Sequence, residues 1–464
     1  MNSNQNIIVS YTIDPSASST LDRTKLSEKI MKKNEQVYKI LCNDSNYITM
    51  DDHVIRYYRS VVLDENEKPL CFSPQTSISM DLFTESISST DDLFVNEIVE
   101  GTMINLFYDE RIQSWEIATR GSIGGRYWYY RTQYIINQDD AASKPLSAHP
   151  TPQMTFRNML MDALRMDPAE DSLNSSAIVA ELPKEYCYSF VLQHPANHIV
   201  LNIGEPRLYL VAVYSLANRS QNRIEYLSPV VYEEWTCFKG LHQCIQFPRR
   251  FHSWNGSSAS IKEMVEGLTS QHCSTQSDYH LVGLMLSNLR TGERTPISNP
   301  AYEELKKIRG NNPNLQYQYF CLLRIGQTAR FLEYFPSYKK LFREFQRQYQ
   351  DLITNVHQSY FSYYIQPKMN RVSEGADHRP PIAKKFFIHV SKIHHDIYLP
   401  SLKEENKIII KRSVVAEYFD KMTPVELLYY LNYDRRQAAK ERRKIQKESA
   451  GSDGIEEEIG DLVE

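Results

Sequence analysis

Hydrophobic and polar positions alternate most plainly in two neighbouring runs. Residues 103–109 alternate in part, residues 109–114 are polar turn material, and residues 115–119 alternate again. That pattern predicts a β-hairpin. Its first strand is entered through Glu97-Ile98-Val99-Glu100-Gly101-Thr102, and its second leaves through Thr119-Arg120-Gly121-Ser122. A glycine beside acidic residues at one end and an Arg-Gly-Ser at the other could face each other across a pocket. Glycine lets a backbone or a phosphate approach closely, and arginine grips phosphate with a two-pronged fork. On pattern alone the stretch also reads as an ordinary surface hairpin with polar ends.

The rest of the chain is read in the same way. Residues 1–20 are polar and are expected to be mobile. Residues 26–41, with Leu26, Ile30, Met31, Val37, Tyr38, Ile40 and Leu41, read as an amphipathic helix. Residues 54–63 read as a strand, which Asp64-Glu65-Asn66-Glu67 turns into a second strand over 69–73. A helical stretch over 154–164 lies between loop-like segments at 139–147 and 167–176. Strands are expected at 208–214 and 280–286. From Asn299 the pattern turns helical, and residues 302–308 end at Arg309-Gly310, a C-terminal stop. Over 338–365, Leu341, Phe345, Tyr349, Leu352, Val356, Tyr360 and Tyr363 recur at steps of three and four. A loop over 371–381 follows, and Phe387, Val390, His394 and Ile397 then mark one more helix face. Thr423-Pro424-Val425-Glu426 is a capping box with proline at the first helical position. Arg435, Arg436, Lys440, Arg442, Arg443, Lys444 and Lys447 form a basic helical run, and Glu456-Glu457-Glu458 opens an acidic tail. The expected organisation is α+β: a flexible N-terminus at 1–20, an antiparallel-sheet domain at 21–300, an all-α domain at 301–432 and a charged tail at 433–464.

Composition narrows the functional classes. The 464 residues can hold two or three domains. A net charge of -4 supplies no global basic field, so any nucleic-acid surface must be local. Phe238, Lys239, Arg249, Arg250 and Phe251 give one weak hint of such a surface. Cysteines 42, 71, 187, 237, 244, 273 and 321 form no C-x-x-C pair and fit free thiols. Cys237, His242, Cys244 and His252 match no zinc spacing and are read as structural. His194 and His198 stand four apart, but Pro195 between them opposes a metal-binding helix face. No metal site is therefore expected. The N-terminal sequence has no basic n-region, and no apolar run approaches bilayer length, so neither a signal peptide nor a membrane span is expected.

Several of these stretches resemble the nucleotidyltransferase domain of ATP-dependent RNA ligases, and most closely the RNA-ligase-like proteins of nucleocytoplasmic large DNA viruses. Glu97–Thr102 is similar to a Glu-Lys-x-Asp-Gly-Ser segment, and Thr119–Ser122 to the Thr-Arg-Gly-Ser that closes the following hairpin. Arg59-Ser60 stands where the family has Arg-Gly, and Ser73-Pro74-Gln75-Thr76 where it has Pro-Pro-Lys-Ser. Phe190-Val191-Leu192 followed by Pro195 to Val200 resembles Phe-Glu-Leu followed by Pro-x-Asn-Arg-Ile-Val, with His198 in place of the Arg. Val282-Gly283 stands where the family has Glu-Gly, and Pro296 and Ser298 where it has lysines.

The resemblance implies a nucleotidyltransferase-like fold of the ATP-grasp-related ligase type, followed by a helical domain. It implies a nucleotide site at Arg59, Glu97, Glu100, Gly101, Arg120 and Gly121, with ATP and Mg2+ as cofactors if any activity is retained. It also implies RNA, and viral RNA-processing or virion proteins, as partners, in the virion or the host cytoplasm. In the family a lysine attacks the α-phosphate of ATP. Ile98 occupies that position. It has no side-chain nitrogen and cannot form the phosphoramidate. The changes at Gln75, Val191, Val282, Pro296 and Ser298 point the same way. The expectation is a catalytically degenerate protein that binds nucleotide or RNA ends, or scaffolds viral RNA processing. The alternatives are an active ligase with an unrecognised nucleophile and a virion structural protein that retains the fold.

Overall fold

The computed structural model describes residues 8–13, 23–44, 53–126, 154–167, 170, 172–239, 244–251, 260–310, 314–366, 380–403 and 407–449. The chain divides into two compact units, Met1–Pro313 and Asn314–Glu464. The expected loops at 139–147, most of 371–381, His242, His252 and the acidic tail lie outside the described residues.

The first unit is built on antiparallel sheets. In chain order the strands are β1 Ile8–Thr12, β2 Leu26–Lys33, β3 Gln36–Asn43, β4 Val61–Leu63, β5 Pro69–Phe72, β6 Leu93–Glu97, β7 Thr102–Asp109, β8 Ser114–Thr119, β9 Ser122–Ile123, β10 Tyr186–Gln193, β11 Arg207–Ser215, β12 Arg223–Leu227, β13 Ile245–Gln246, β14 Gly283–Asn288 and β15 Arg294–Ser298. The largest sheet runs β1-β12-β11-β10-β7-β8-β9, with β13 paired to β11. A second sheet runs β2-β3-β4-β5, and a third β15-β14-β6.

The β7–β8 hairpin forms as its pattern predicts, with Asn105 opposite Ala118 and Asp109 opposite Ser114. Its turn is organised by Asp109, whose carboxylate accepts from the Arg111 backbone N–H at 3.0 Å and from the Tyr38 hydroxyl at 2.8 Å. The alternation is only partial because both faces of these strands are buried. Ile104, Leu106, Trp115 and Ile117 pack with Tyr188, Phe190 and the helix Phe156–Ala163 on one face. Phe107 and Ala118 pack with Tyr38, Val61 and Phe72 of the second sheet on the other. The third sheet has its own core, in which Leu284, Leu286 and Val95 meet Phe83 and Leu268.

Three expectations for this unit are corrected. Residues 26–41 form no helix. β2 and β3 make a hairpin there, with Lys33 opposite Gln36. Asn34 and Glu35 form its turn, both with positive φ (48° and 64°), the geometry that matches the twist of flanking strands. Apolar positions at 26, 30, 31, 37, 38, 40 and 41 fit both periods, and β2 is an exposed edge strand with a weak inward pattern. The expected strand over 54–63 begins instead as a 3-10 turn, Ile55–Arg59, and only Val61–Leu63 is extended. Ile55 and Tyr58, three apart, turn inward together. Ile8–Thr12, in the segment expected to be mobile, is a strand paired with β12.

The second unit is helical: Leu315–Arg324, Thr328–Tyr334, Lys339–Tyr360, Lys384–Lys392, Arg412–Asp420, Pro424–Leu431 and Tyr433–Ser449. The long helix buries Phe342, Phe345, Tyr349, Leu352, Ile353, Val356 and Tyr360 and continues as π-helix through Phe361–Ile365. Thr423 and Glu426 cap Pro424–Leu431 reciprocally. The expected face of Phe387, Val390, His394 and Ile397 is rotated. Phe387 is 55% exposed, while His389, Val390 and Ile393 are buried. No described helix in either unit is long and apolar enough to cross a membrane.

Candidate functional site

The turn after β8 carries Arg120 and Gly121 between Thr119 and Ser122, which pair as β8 meets β9. The turn is fixed from outside the hairpin. The Arg120 carbonyl accepts from the Ser60 hydroxyl at 3.0 Å and from the Cys42 thiol at 2.6 Å. The Arg120 guanidinium donates to the Asn43 carbonyl at 2.6 Å. Nothing lies within 4 Å of where a Gly121 Cβ would stand, so the turn is open on that side.

Arg59 closes the 3-10 turn immediately before Ser60. Burial, and then the neighbouring Arg120 charge, lower its pKa below the ordinary arginine value. A third guanidinium reaches the same place. Arg294, the first residue of β15, donates to the backbone carbonyls of Gln75 at 2.8 Å and Pro74 at 3.4 Å. Burial, and then repulsion from Arg59, bring its pKa down to about 10. Arg59 thus feels both Arg120 and Arg294. Among the described residues no carboxylate pairs with any of the three, and Arg59 has no hydrogen-bond partner. Arg120 is exposed and Arg59 and Arg294 are half-buried, and like charges held close without a counter-charge repel. They also form a surface set up to receive an anion.

Gln75 explains how the third arginine arrives. Its amide donates to the Gly292 carbonyl at 2.6 Å, and its own carbonyl receives Arg294 from a strand 219 residues on. Gln75 carries no charge, and a guanidinium from β15 stands beside it. Sequence reading set Arg294 aside because it stands off the two motif positions, Pro296 and Ser298, and the carbonyls that fix it are distant in the chain. Arg290, four residues earlier, is instead 3.1 Å from Asp92 in an ion pair.

Glu97, Glu100, Gly101 and Ile98 have different settings. Glu100 is buried, and its carboxylate accepts from the backbone N–H groups of Ile199 (2.7 Å), Val200 (3.0 Å) and Leu201 (3.2 Å) and from the Tyr302 hydroxyl (2.7 Å). Four donors occupy it, so it fixes the loop after β10 to the approach to β7. Gly101 passes so close to β10 that a Cβ would stand 2.5 Å from the Leu192 carbonyl oxygen. Glu97 accepts from the Arg249 backbone N–H at 2.9 Å and lies 3.7 Å from its guanidinium. Ile98 donates its N–H to the Gly283 carbonyl at 2.9 Å, and its side chain lies near the same glycine. The geometry therefore gathers Arg59, Arg120 and Gly121 with the unexpected Arg294, while Glu100 with Gly101, and Glu97, hold other segments.

The remaining motif positions are strand and loop residues. Val191 is buried on β10 opposite Met103. Pro296 and Ser298 pair with Met285 and Gly283 across the β14–β15 ladder. His198 bonds the Pro195 carbonyl at 2.7 Å, and His194 lies 3.2 Å from Asp162, its pKa lowered by burial despite that carboxylate. Among the described residues no group of three or more His, Cys, Asp or Glu side chains is placed to hold a metal ion.

Fold and site together define a mixed α+β protein, with an antiparallel-sheet unit that gathers arginines at one corner and a separate helical unit. No protein-family model matches the chain, and no curated protein matches it. One solved structure it is similar to is a lysine-to-methionine mutant of Naegleria gruberi RNA ligase with AMP and Mn, at 10% identity and a TM-score of 0.29, covering 64% of this chain and 84% of that one.

Proposed function

We propose that this chain is a ligase-derived, catalytically degenerate protein that binds a nucleotide or a phosphorylated RNA end at the Arg59–Arg120–Gly121 corner. The observation that carries the reading is Arg59 itself, a half-buried guanidinium near two others with neither a carboxylate nor a hydrogen-bond partner among the described residues. A phosphate would satisfy its donors and neutralise the repulsion. Gly121 leaves room for a phosphate to approach the turn. The motif resemblance supplies the class of ligand, and Ile98 at the nucleophile position supplies the loss of covalent chemistry. Glu100 and Gly101 act on this reading by positioning the β7 approach, and Glu97 by holding Arg249. On this reading, for which the motif resemblance is the only support, the protein acts among the RNA-processing or virion components of a large DNA virus, and ATP and Mg2+ enter as cofactors only if ligase activity is retained.

The test combines labelling and binding. Purified protein is incubated with Mg2+ and α-labelled ATP and run on a denaturing gel, and the affinity for a 5′-phosphorylated RNA oligonucleotide is compared with its 5′-hydroxyl counterpart. The reading expects no label and a preference for the phosphorylated end. It expects Arg59→Ala to weaken binding about 10- to 100-fold, the loss of a charge-assisted contact of roughly 1.5–3 kcal/mol. A label stable to denaturation would establish an active ligase whose nucleophile lies elsewhere. Neither label nor phosphate preference, with tight association to virion proteins, would leave a structural protein.

A further inference from the structure

The helical unit holds a cleft of its own, about 510 Å³ in volume and open to solvent. That volume lies within the range of small-ligand sites, roughly 300–1,000 Å³. Three helices line it. Leu315–Arg324 brings Tyr319, Leu323 and Arg324, and Lys339–Tyr360 brings Gln346, Tyr349 and Gln350, each set on one face of its helix. Arg412–Asp420 brings its last residue, Asp420. The two tyrosine rings are held from behind, Tyr319 by Phe342 with centroids 5.1 Å apart and Tyr349 by Phe320 at 5.6 Å.

The polar groups of the cleft are only partly used by the fold. Arg324 donates to Asp420 Oδ1 at 3.2 Å and to the carbonyls of Phe419 (2.8 Å) and Met422 (2.9 Å). The Tyr349 hydroxyl donates to the same Asp420 oxygen at 2.7 Å. Among the described residues Asp420 Oδ2 accepts no bond. The Gln350 side-chain oxygen accepts from Arg412, and its NH2 group has no partner among the described residues. Neither the exposed Gln346 amide nor the Tyr319 hydroxyl bonds a described residue, although Tyr319 is only 3% exposed. Arg324 offsets the charge of Asp420, so the cleft is close to neutral. A phosphate would face the Asp420 carboxylate, and an isolated cation the Arg324 guanidinium. A flat, neutral ligand with donors and acceptors along its edge fits both the charge and the groups present.

We propose that this cleft is a nucleobase site and that it takes guanine in preference to the other bases. Asp420 Oδ2 calls for N–H donors, and guanine alone among the RNA bases carries two adjacent ones, N1–H and the 2-amino group. Its O6 then accepts from the Gln350 NH2 group or the Tyr319 hydroxyl, and Gln346 closes the rim. Unpaired bases are read in this way, through their Watson–Crick edges. A free guanine nucleoside or nucleotide and an unpaired guanine in RNA share that chemistry. The cleft lies wholly within the second unit and its ligand requires no phosphate, so the proposal stands apart from the reading of the Arg59–Arg120 corner.

The test is titration of the full chain with guanosine, inosine, adenosine, cytidine and uridine, all without phosphate, followed by ligand-observed NMR. Inosine is guanosine without the 2-amino group. Guanosine is expected to bind at least about tenfold tighter than inosine or the other nucleosides, the worth of one hydrogen bond to a charged group. Asp420→Asn should bring guanosine to within about threefold of inosine. Gln346→Ala, at an exposed position, should weaken guanosine about threefold to tenfold without moving the melting temperature. A 5′-hydroxyl oligouridylate with one internal guanosine that binds tighter than guanosine itself would identify RNA as the source, and weaker binding a free nucleoside or nucleotide. The inference is overturned if guanosine does not bind, if it binds no tighter than inosine, or if both variants bind it as the wild type does. It is overturned equally if Arg59→Ala abolishes guanosine binding, since the nucleoside would then occupy the arginine corner. A missing phosphate preference at that corner would refute the corner alone and leave the guanosine result standing.

Discussion

His389 offers the sharpest test of the helical unit. Its side chain is 1% exposed, its Nδ1 meets the Tyr418 hydroxyl at 3.1 Å, and its Nε2 is buried with no partner among the described residues. The rings of Phe419 and Tyr430 pack on it at 5.0 Å and 4.1 Å, and Lys392 adds a like charge. Burial first, and Lys392 second, push its pKa from 6.5 down to about 4. The folded protein therefore holds His389 neutral where the unfolded chain binds a proton. The stability this contributes is fully present above about pH 6.5 and is lost as pH falls through about 4. Each pKa unit is worth about 1.4 kcal/mol, so the full loss is about 3 kcal/mol, and about 2.5 kcal/mol of it has gone by about pH 4.5. His389→Phe removes this term. All four tryptophans lie at or before residue 254, so helicity at 222 nm under urea follows the helical unit while tryptophan fluorescence follows the other. The acid-dependent part of the unfolding free energy should shrink by about 2–3 kcal/mol in the variant between about pH 8 and 4.5. Near pH 8 the variant should be equal or slightly more stable, because an unsatisfied nitrogen has been removed. Parallel pH profiles for wild type and variant would refute the reasoning.

Two further predictions concern the sheet unit. Glu100→Gln keeps the shape but replaces one acceptor oxygen with an N–H2 group facing donors. It should cost on the order of 3 kcal/mol and lower the tryptophan-monitored melting temperature by roughly 5–10 °C. An unchanged melt would show that the 199–201 loop is held by something else. Glu35→Gly should stabilise the β2–β3 hairpin by about 0.5 kcal/mol, since relief of a left-handed residue outweighs the entropy that glycine adds to the unfolded chain. Loss of stability in urea titration would mean that the Glu35 side chain contributes more than its backbone strain removes.

What could be read in advance follows from where each signal lies in the chain. The β7–β8 hairpin, the strand Arg207–Ser215, the helix from Lys339 and the Thr423 cap depend on neighbours within a few residues, and local pattern located them. The β2–β3 hairpin was hidden because Asn-Glu is an uncommon pair for a turn with both φ values positive, and because the apolar spacing suited a helix equally well. His389 was passed over because one position of rotation separates the face that looks apolar from the face that packs. Arg59 and Arg120 could be singled out through the motifs around them. Arg294 was set aside as lying off those motifs, since its place is set by the carbonyls of Pro74 and Gln75, far away in the chain. The roles of Glu100 and Gly101 are likewise set by contacts about 90 to 200 residues away.

The arginine corner also has a consequence at the bench. Arg59 is repelled by both Arg120 and Arg294, with no carboxylate paired to any of the three among the described residues, and on the proposed reading an anion that binds there, to the folded state alone, raises stability with its concentration. On that reading, phosphate- and sulfate-containing buffers act as competitors, and material purified from cells is expected to carry an anion through the early columns. A preparation washed at high ionic strength and exchanged into a weakly coordinating buffer will melt lower, and its ultraviolet absorbance ratio will report what was removed. The choice of counter-ion during preparation therefore decides whether the corner is free when a titration begins.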